Sequence, residues 1–112
     1  MTNQEIKKIE ILSKAQCLIQ LNEDLPKEIE VEAFSYYVDL LGIYQVTIQH
    51  IVSYDTYKEE NQYDSKIFDW NEKTTIFDIA NYLDTLTDNT VEYFDSKELK
   101  RQILEESLVD SM

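Results

Sequence analysis

Glycine and proline are almost absent from this chain of 112 residues, which contains only Gly42 and Pro26. Few positions therefore suit sharp turns with a positive φ angle, and a helix-rich fold is favoured. The length is typical of one domain whose core needs neither disulfides nor metal. We expect a single acidic globular domain over residues 1–112. Its class would be α+β, with three to four helices packed with a short antiparallel hairpin, and an all-α fold is the alternative.

Hydrophobic periodicity predicts four helices, over residues 4–22, 26–41, 76–87 and 96–109. In the second of these, Pro26 suits the first helical position and Gly42 suits the position after the helix end. Its start is open, because residues 28–32 also alternate as a strand would. The last helix would use four apolar residues, Leu99, Ile103, Leu104 and Leu108.

Residues 43–54 fit both a strand and a helix, and this ambiguity decides between the fold classes. As a strand, one face would carry Tyr44, Val46, Ile48, His50, Val52 and Tyr54. The density of β-branched residues favours the strand. Residues 65–70 would then be the returning strand, after a polar loop over 58–64.

The chain carries a large excess of acidic residues, 23 against 10 basic ones, for a formal net charge of -13. The excess is concentrated in residues 51–96, which also contain many Tyr, Phe and Trp residues. Disordered acidic segments are poor in aromatics, so this stretch is expected to fold. Such a surface repels nucleic acid and anionic membranes and attracts basic protein surfaces.

Acidic and aromatic residues of this stretch are therefore the candidate partner-binding residues. They are Asp55, Tyr57, Glu59, Glu60, Tyr63, Asp64, Asp69, Trp70, Glu72, Asp84 and Asp88. Carboxylates four residues apart on a helix lie roughly 6 Å from each other. That distance is close to the spacing of successive phosphates on one nucleic-acid strand, roughly 6–7 Å. In size, charge and tyrosine content the chain resembles small acidic inhibitors of phages and mobile elements, namely antirestriction proteins, anti-CRISPR proteins and inhibitors of DNA-repair enzymes.

The segment from Leu41 to Val52 resembles the turn and recognition helix of helix-turn-helix repressors. Gly42 stands in the turn position, and branched apolar residues follow it six and nine positions later. The exposed positions of such a recognition helix contain no Lys or Arg, which normally supply the phosphate contacts. We therefore expect no direct contact with nucleic acid.

Catalytic and metal-binding motifs are missing from the sequence. His50 is the only histidine and Cys17 the only cysteine, so neither a catalytic triad nor a metal cluster is indicated. One glycine is too few for a phosphate-binding loop. We expect no enzymatic activity, no cofactor and no metal. The absence of a signal-peptide pattern and of a long apolar run leads us to expect a cytoplasmic monomer or dimer that does not contact membranes.

These observations favour a small inhibitor protein that binds a basic nucleic-acid-processing enzyme by imitating the charge of DNA or RNA. One alternative is an immunity protein that neutralises a basic toxin. The other is a helix-turn-helix transcriptional regulator.

Overall fold

The computed structural model describes residues 1–110 and contains, in that range, three α-helices and a sheet of four strands. Residues 111 and 112 of the expected domain lie outside this range. The elements are α1 (Asn3–Leu21), a 3-10 helix (Lys27–Ile29), β1 (Glu32–Val38), β2 (Ile43–Asp55), β3 (Glu60–Asp69), α2 (Thr75–Thr85), β4 (Glu92–Phe94) and α3 (Ser96–Asp110). The predicted α+β class is confirmed, and the all-α alternative is not supported.

Strand β2 is the centre of the sheet, with β1 and β3 antiparallel to it on its two sides. The short strand β4 runs parallel to β2 and pairs with residues Ser53 to Asp55. At these residues β3 lies on one side of β2. Strand β4 therefore lies on the other side, in line with β1 at the same edge of the sheet. A bulge interrupts the β2–β3 ladder between Ile51 and Ser53. The sheet is therefore mainly a three-stranded antiparallel meander. The predicted hairpin corresponds to two of its strands, β2 and β3.

One face of the sheet is covered by α1 and α2, and we call it the covered face. The buried core lies between them and includes Ile11, Ala15, Ile29, Val46, Ile48, Ile79 and Leu83. Strand side chains alternate between faces, so the neighbours of Val46 and Ile48 point to the opposite side. We call that side the open face, because no helix of the described chain packs against it.

The predicted helix over residues 26–41 is wrong. The chain instead forms the 3-10 helix, a residue with positive φ at Glu30, and strand β1. Val, Phe and Tyr side chains dominate this segment, and they fit a pleated surface better than a helix. Gly42 does adopt a positive φ of 65°, but it does so in the β1–β2 turn, where its N–H donates to the Val38 carbonyl at 2.8 Å.

The predicted polar loop over residues 58–64 is also wrong in most of its length, because β3 begins at Glu60. The turn between β2 and β3 spans only residues 56–59, and Glu59 has a positive φ of 54°. An edge strand faces water on one face, so polar residues are compatible with pairing to β2. The predictions of α1, α2, α3 and a strand over residues 43–54 are confirmed within one to two residues at their ends.

The helix-turn-helix interpretation of residues 41–52 is contradicted by the same strand. Residues from Ile43 onward form β2, and no recognition helix exists there. The side chains of Val46, Ile48 and His50 are buried under the helices rather than exposed for base contact. The regulator alternative therefore loses the residues on which it depended.

Candidate functional site

The predicted partner-binding residues fall into three groups on the surface and one buried residue. The first group lies on the β2–β3 turn and on β3, and we call it the acidic hairpin: Tyr57, Glu59, Glu60, Tyr63 and Asp64. The second follows the end of β3: Asp69, Trp70 and Glu72. The third lies at the end of α2 and beyond it: Asp84 and Asp88. The buried residue is Asp55.

Asp55 is fully buried at the last position of β2 and has a structural role. Its Oδ1 accepts hydrogen bonds from the amides of Tyr57 at 3.0 Å, Lys58 at 3.3 Å and Ser96 at 3.2 Å. Burial by itself raises the pKa of this carboxyl, but the hydrogen bonds from Ser96, Lys58 and Tyr57 outweigh it and the pKa is lowered. Asp55 therefore fixes the hairpin turn to the start of α3 and is not available to a partner.

The acidic hairpin is the most accessible of the three groups. Residues 56–67 are all exposed, and β3 has no strand on its outer edge, so its outward backbone groups face solvent. Among residues 1–110, no salt bridge involves Glu59, Glu60 or Asp64. The three carboxylates of the hairpin are therefore exposed and unpaired with bases in the described chain.

Basic residues of the described chain lie near the hairpin but form no salt bridge with its three acids. Lys66, the only base on β3, places its Nζ 5.4 Å from the ring centre of Tyr82 and 5.8 Å from that of Phe68. Lys97 of α3 lies over the ring of Tyr57 at 5.6 Å. Lys58 is exposed in the turn. Residues 56–67 thus carry three acids against two bases, an excess of one negative charge, with the ring of Tyr57 at the tip.

The second group makes its contacts within the chain. Glu72 pairs with Lys7 and, at 3.9 Å, with Lys14. The hydrogen bond from Lys7 lowers the pKa of Glu72, and the same bond raises the pKa of Lys7. Asp69 accepts a hydrogen bond from Gln45 at 2.8 Å, and Trp70 packs against the core. These three residues hold the end of β3 to α1 and the sheet.

The third group lies beside the C-terminal end of α1. Asp84 accepts a hydrogen bond from the side chain of Asn22 at 3.1 Å, and Asp88 is exposed. The two residues belong to α2 and its following turn rather than to the hairpin. The structure thus brings together five of the eleven predicted residues in one continuous segment and separates the others.

Two apolar surfaces were missed by the sequence reasoning. The open face exposes Tyr36 at 50%, Tyr63 at 53% and Ile67 at 61% of their area. Helix α3 exposes Leu99 at 47% and Ile103 at 54%. Residues 32–38 form a strand, and alternation of their side chains would have indicated the first surface. This pattern was not used because residues 26–41 were predicted to be a helix. The sequence of a helix does not show whether its apolar side chains pack against another element or remain exposed.

Comparison of the chain with protein-family models, with curated proteins and with solved structures finds no match in any of the three. In the described part of the chain, no three His, Cys, Asp or Glu side chains come together as a metal site would require. None of the helices formed by residues 1–110 combines the length and the apolar character needed to cross a membrane.

Proposed function

We propose that this chain is a small acidic inhibitor protein whose acidic hairpin binds the basic nucleic-acid site of an enzyme. The observation that carries the proposal is the set of exposed carboxylates at Glu59, Glu60 and Asp64, which form no salt bridge within the described chain. Charged groups held apart from their own counter-charges attract an oppositely charged partner over a long range.

The geometry of the hairpin supports contact with a surface made for a phosphate backbone. Glu60 and Asp64 lie on the same face of β3, because side chains alternate along a strand. They are four residues apart, which is about 13 Å along the strand at a rise of ~3.3–3.4 Å per residue. That distance is about twice the roughly 6–7 Å between successive phosphates of one strand, so the two acids can oppose Lys and Arg side chains that bind every second phosphate.

The fixed hairpin turn also favours binding. Asp55 holds the amides of Tyr57 and Lys58, and the carbonyl of Phe94 accepts a hydrogen bond from the Thr56 amide at 2.7 Å. A turn that is already ordered loses less conformational entropy when a partner binds it. Tyr57, 58% exposed at this turn, supplies the aromatic contact that often anchors a protein interface.

The test is capture of the partner with the immobilised chain from a lysate of its source cells at low salt. We expect a basic enzyme that acts on nucleic acid, displaced by added duplex DNA and inhibited by the free chain. The chain alone should leave duplex DNA unshifted in an electrophoretic assay. Capture of a basic toxin without nucleic-acid activity would favour an immunity protein, and a partner that DNA does not displace would contradict the proposal.

A matched pair of variants locates the contact. The hairpin variant Glu59→Gln/Glu60→Gln/Asp64→Asn should slow association with the captured enzyme by about tenfold at low salt. The control variant Glu23→Gln/Asp24→Asn/Glu28→Gln removes the same charge from exposed positions between α1 and β1. Equal slowing in both variants would assign the effect to net charge and not to the hairpin.

A further inference from the structure

Helix α3 projects from the rest of the molecule. The longest dimension of the structure is 63 Å, against 36 and 24 Å in the other two directions. Every side chain from Lys97 to Leu108 is exposed. A helix of 15 residues is marginal in water by itself, because most helix stability in proteins comes from packing of an apolar face. Within the described residues, the apolar side chains of Leu99, Ile103 and Leu104 remain exposed, so packing of this face adds little to the stability of α3.

The apolar and polar residues of α3 lie on different halves of the helix. At about 100° per residue, one half carries Leu99, Ile103 and Leu104 together with two bases, Lys97 and Lys100. The opposite half is polar, and its side chains form hydrogen bonds with one another. There Arg101 donates to Glu98 at 2.5 Å and to Glu105 at 3.0 Å, and Gln102 lies beside them. The apolar half covers a wider arc than the narrow seam of a two-stranded coiled coil, so it fits a broad surface better than a second narrow helix face.

The open face of the sheet is such a surface. Phe34, Thr47 and Ile67 are direct cross-strand neighbours and form a row across β1, β2 and β3. In the next row, Tyr36 lies opposite Gln45, which is bonded to Asp69. The acids on this face of the first three strands are Glu32 and Asp69, and the same strand positions contain no Lys or Arg.

The charges of the two surfaces are complementary. The apolar half of α3 brings Lys97 and Lys100, and the open face brings Glu32 and Asp69. Residues 96–108 contain three bases and three acids, so this part of α3 brings no net charge toward an acidic body of the same sequence.

We propose that α3 packs on the open face of a second copy of this chain, and that the second copy returns the same contact. The reciprocal exchange makes a closed dimer with two-fold symmetry. This proposal goes beyond the inhibitor function and leaves Glu59, Glu60 and Asp64 outside the contact. A helix about 22 Å long and about 10 Å wide has a footprint of about 220 Å². Two such contacts bury about 900 Å² as a flat projection, which is the lower end of specific interfaces and indicates a reversible dimer.

Light scattering during size-exclusion chromatography, from high to low micromolar concentration, tests the association. We expect the mass to fall from twice 13.3 kDa toward 13.3 kDa on dilution. The helix variant Ile103→Ser/Leu104→Ser and the sheet variant Tyr36→Ser/Ile67→Ser should both be monomeric at every concentration. The control variant Gln102→Ser/Glu106→Ser, on the polar half of α3, should dimerise as the natural chain does. A natural chain that stays monomeric at high concentration would overturn the proposal.

Crosslinking between two differently marked chains fixes the geometry. In a Cys17→Ser background, chains with Thr47→Cys are mixed with chains with Ser107→Cys and oxidised. The proposal expects a disulfide between the two kinds of chain, because residue 107 lies in the apolar half of α3 and residue 47 at the centre of the open face. Crosslinks that form only between two Ser107→Cys chains would show that α3 pairs with α3 of the other copy. Dimerisation of the sheet variant in the light-scattering experiment would lead to the same conclusion. Either result would contradict the proposed contact.

Discussion

The two faces of the sheet are built from the same three strands, yet only one of them is packed. On the covered face, Val46 and Ile48 have no exposed area, because α1 and α2 lie over them. On the open face, Ile67 keeps 61% of its area exposed although it lies in the same sheet. Stability is therefore concentrated on the covered face. The open face, the acidic hairpin and α3 contribute little to the core and remain accessible to other molecules.

Truncating a core residue on the covered face should have the largest effect. Ile48→Ala leaves a cavity among fully buried neighbours and should lower the free energy of unfolding by about 3 kcal/mol. Ile67→Ala, the matched change on the open face, should cost about 0.5 kcal/mol or less. Urea unfolding at low protein concentration measures both. Similar losses in the two variants would show that the two faces do not differ in stability.

Removing the Asp55 carboxyl should have the next largest effect. Asp55→Ala leaves the amides of Tyr57, Lys58 and Ser96 without an acceptor and should lower the melting temperature by about 10 °C. Asp55→Asn keeps one acceptor oxygen and should lie between Ala and the natural residue. Asp88→Ala, at an exposed position after α2, is the control and should change the melting temperature little.

The pH dependence of the Asp55 contribution has a defined sign. The pKa of this carboxyl in the fold lies below its ordinary value of 3.8. Its contribution is therefore fully present above that value and is lost as the pH falls through the lower, folded value. The difference in melting temperature between the natural chain and Asp55→Asn should be constant from about pH 7 to about pH 5 and shrink below about pH 4. A difference that grows on acidification would contradict the lowered pKa.

Weakening the start of α3 should have the smallest effect on the whole molecule. Asp95 accepts hydrogen bonds from the amides of Lys97 at 2.9 Å and Glu98 at 3.1 Å, as a residue that caps a helix N-terminus does. Asp95→Ala should cost about 1 kcal/mol within α3 and reduce its hydrogen-exchange protection by about fivefold, with the melting temperature of the monomer nearly unchanged. Asp88→Ala is the control for loss of one acid. A matching loss of protection in the core strands would show that α3 is coupled to the core.

Much of the local structure was readable from the sequence. Helical spacing located α1, α2 and α3, and the β-branched residues of 43–54 identified β2 correctly. The Thr2 cap of α1 and the pair of Arg101 with Glu105 depend only on neighbours in the chain. Thr75 is the first residue of α2, and its hydroxyl donates to the Asp69 carbonyl.

The candidate site was predictable only in part, because charge is a property of composition while exposure is not. Eleven residues were chosen for their type, and the fold separates them. Asp55 is buried as a hydrogen-bond acceptor, Glu72 is paired with Lys7, and the hairpin acids remain free. Two carboxylates a few residues apart can thus have opposite roles, since their roles depend on which amides and bases the fold brings to them.

The sequence by itself determined the acidic character of the chain, its three helices and its central strand, because these follow from composition and from contacts within a few residues. Only the tertiary structure decided that residues 32–38 form strand β1 and that residues 60–64 belong to strand β3. Their backbone hydrogen bonds are made with β2, and no local pattern contains that partner. The tertiary structure also left the apolar half of α3 exposed while covering that of α1. Burial depends on the surfaces that meet, and a single helix sequence does not specify what it meets.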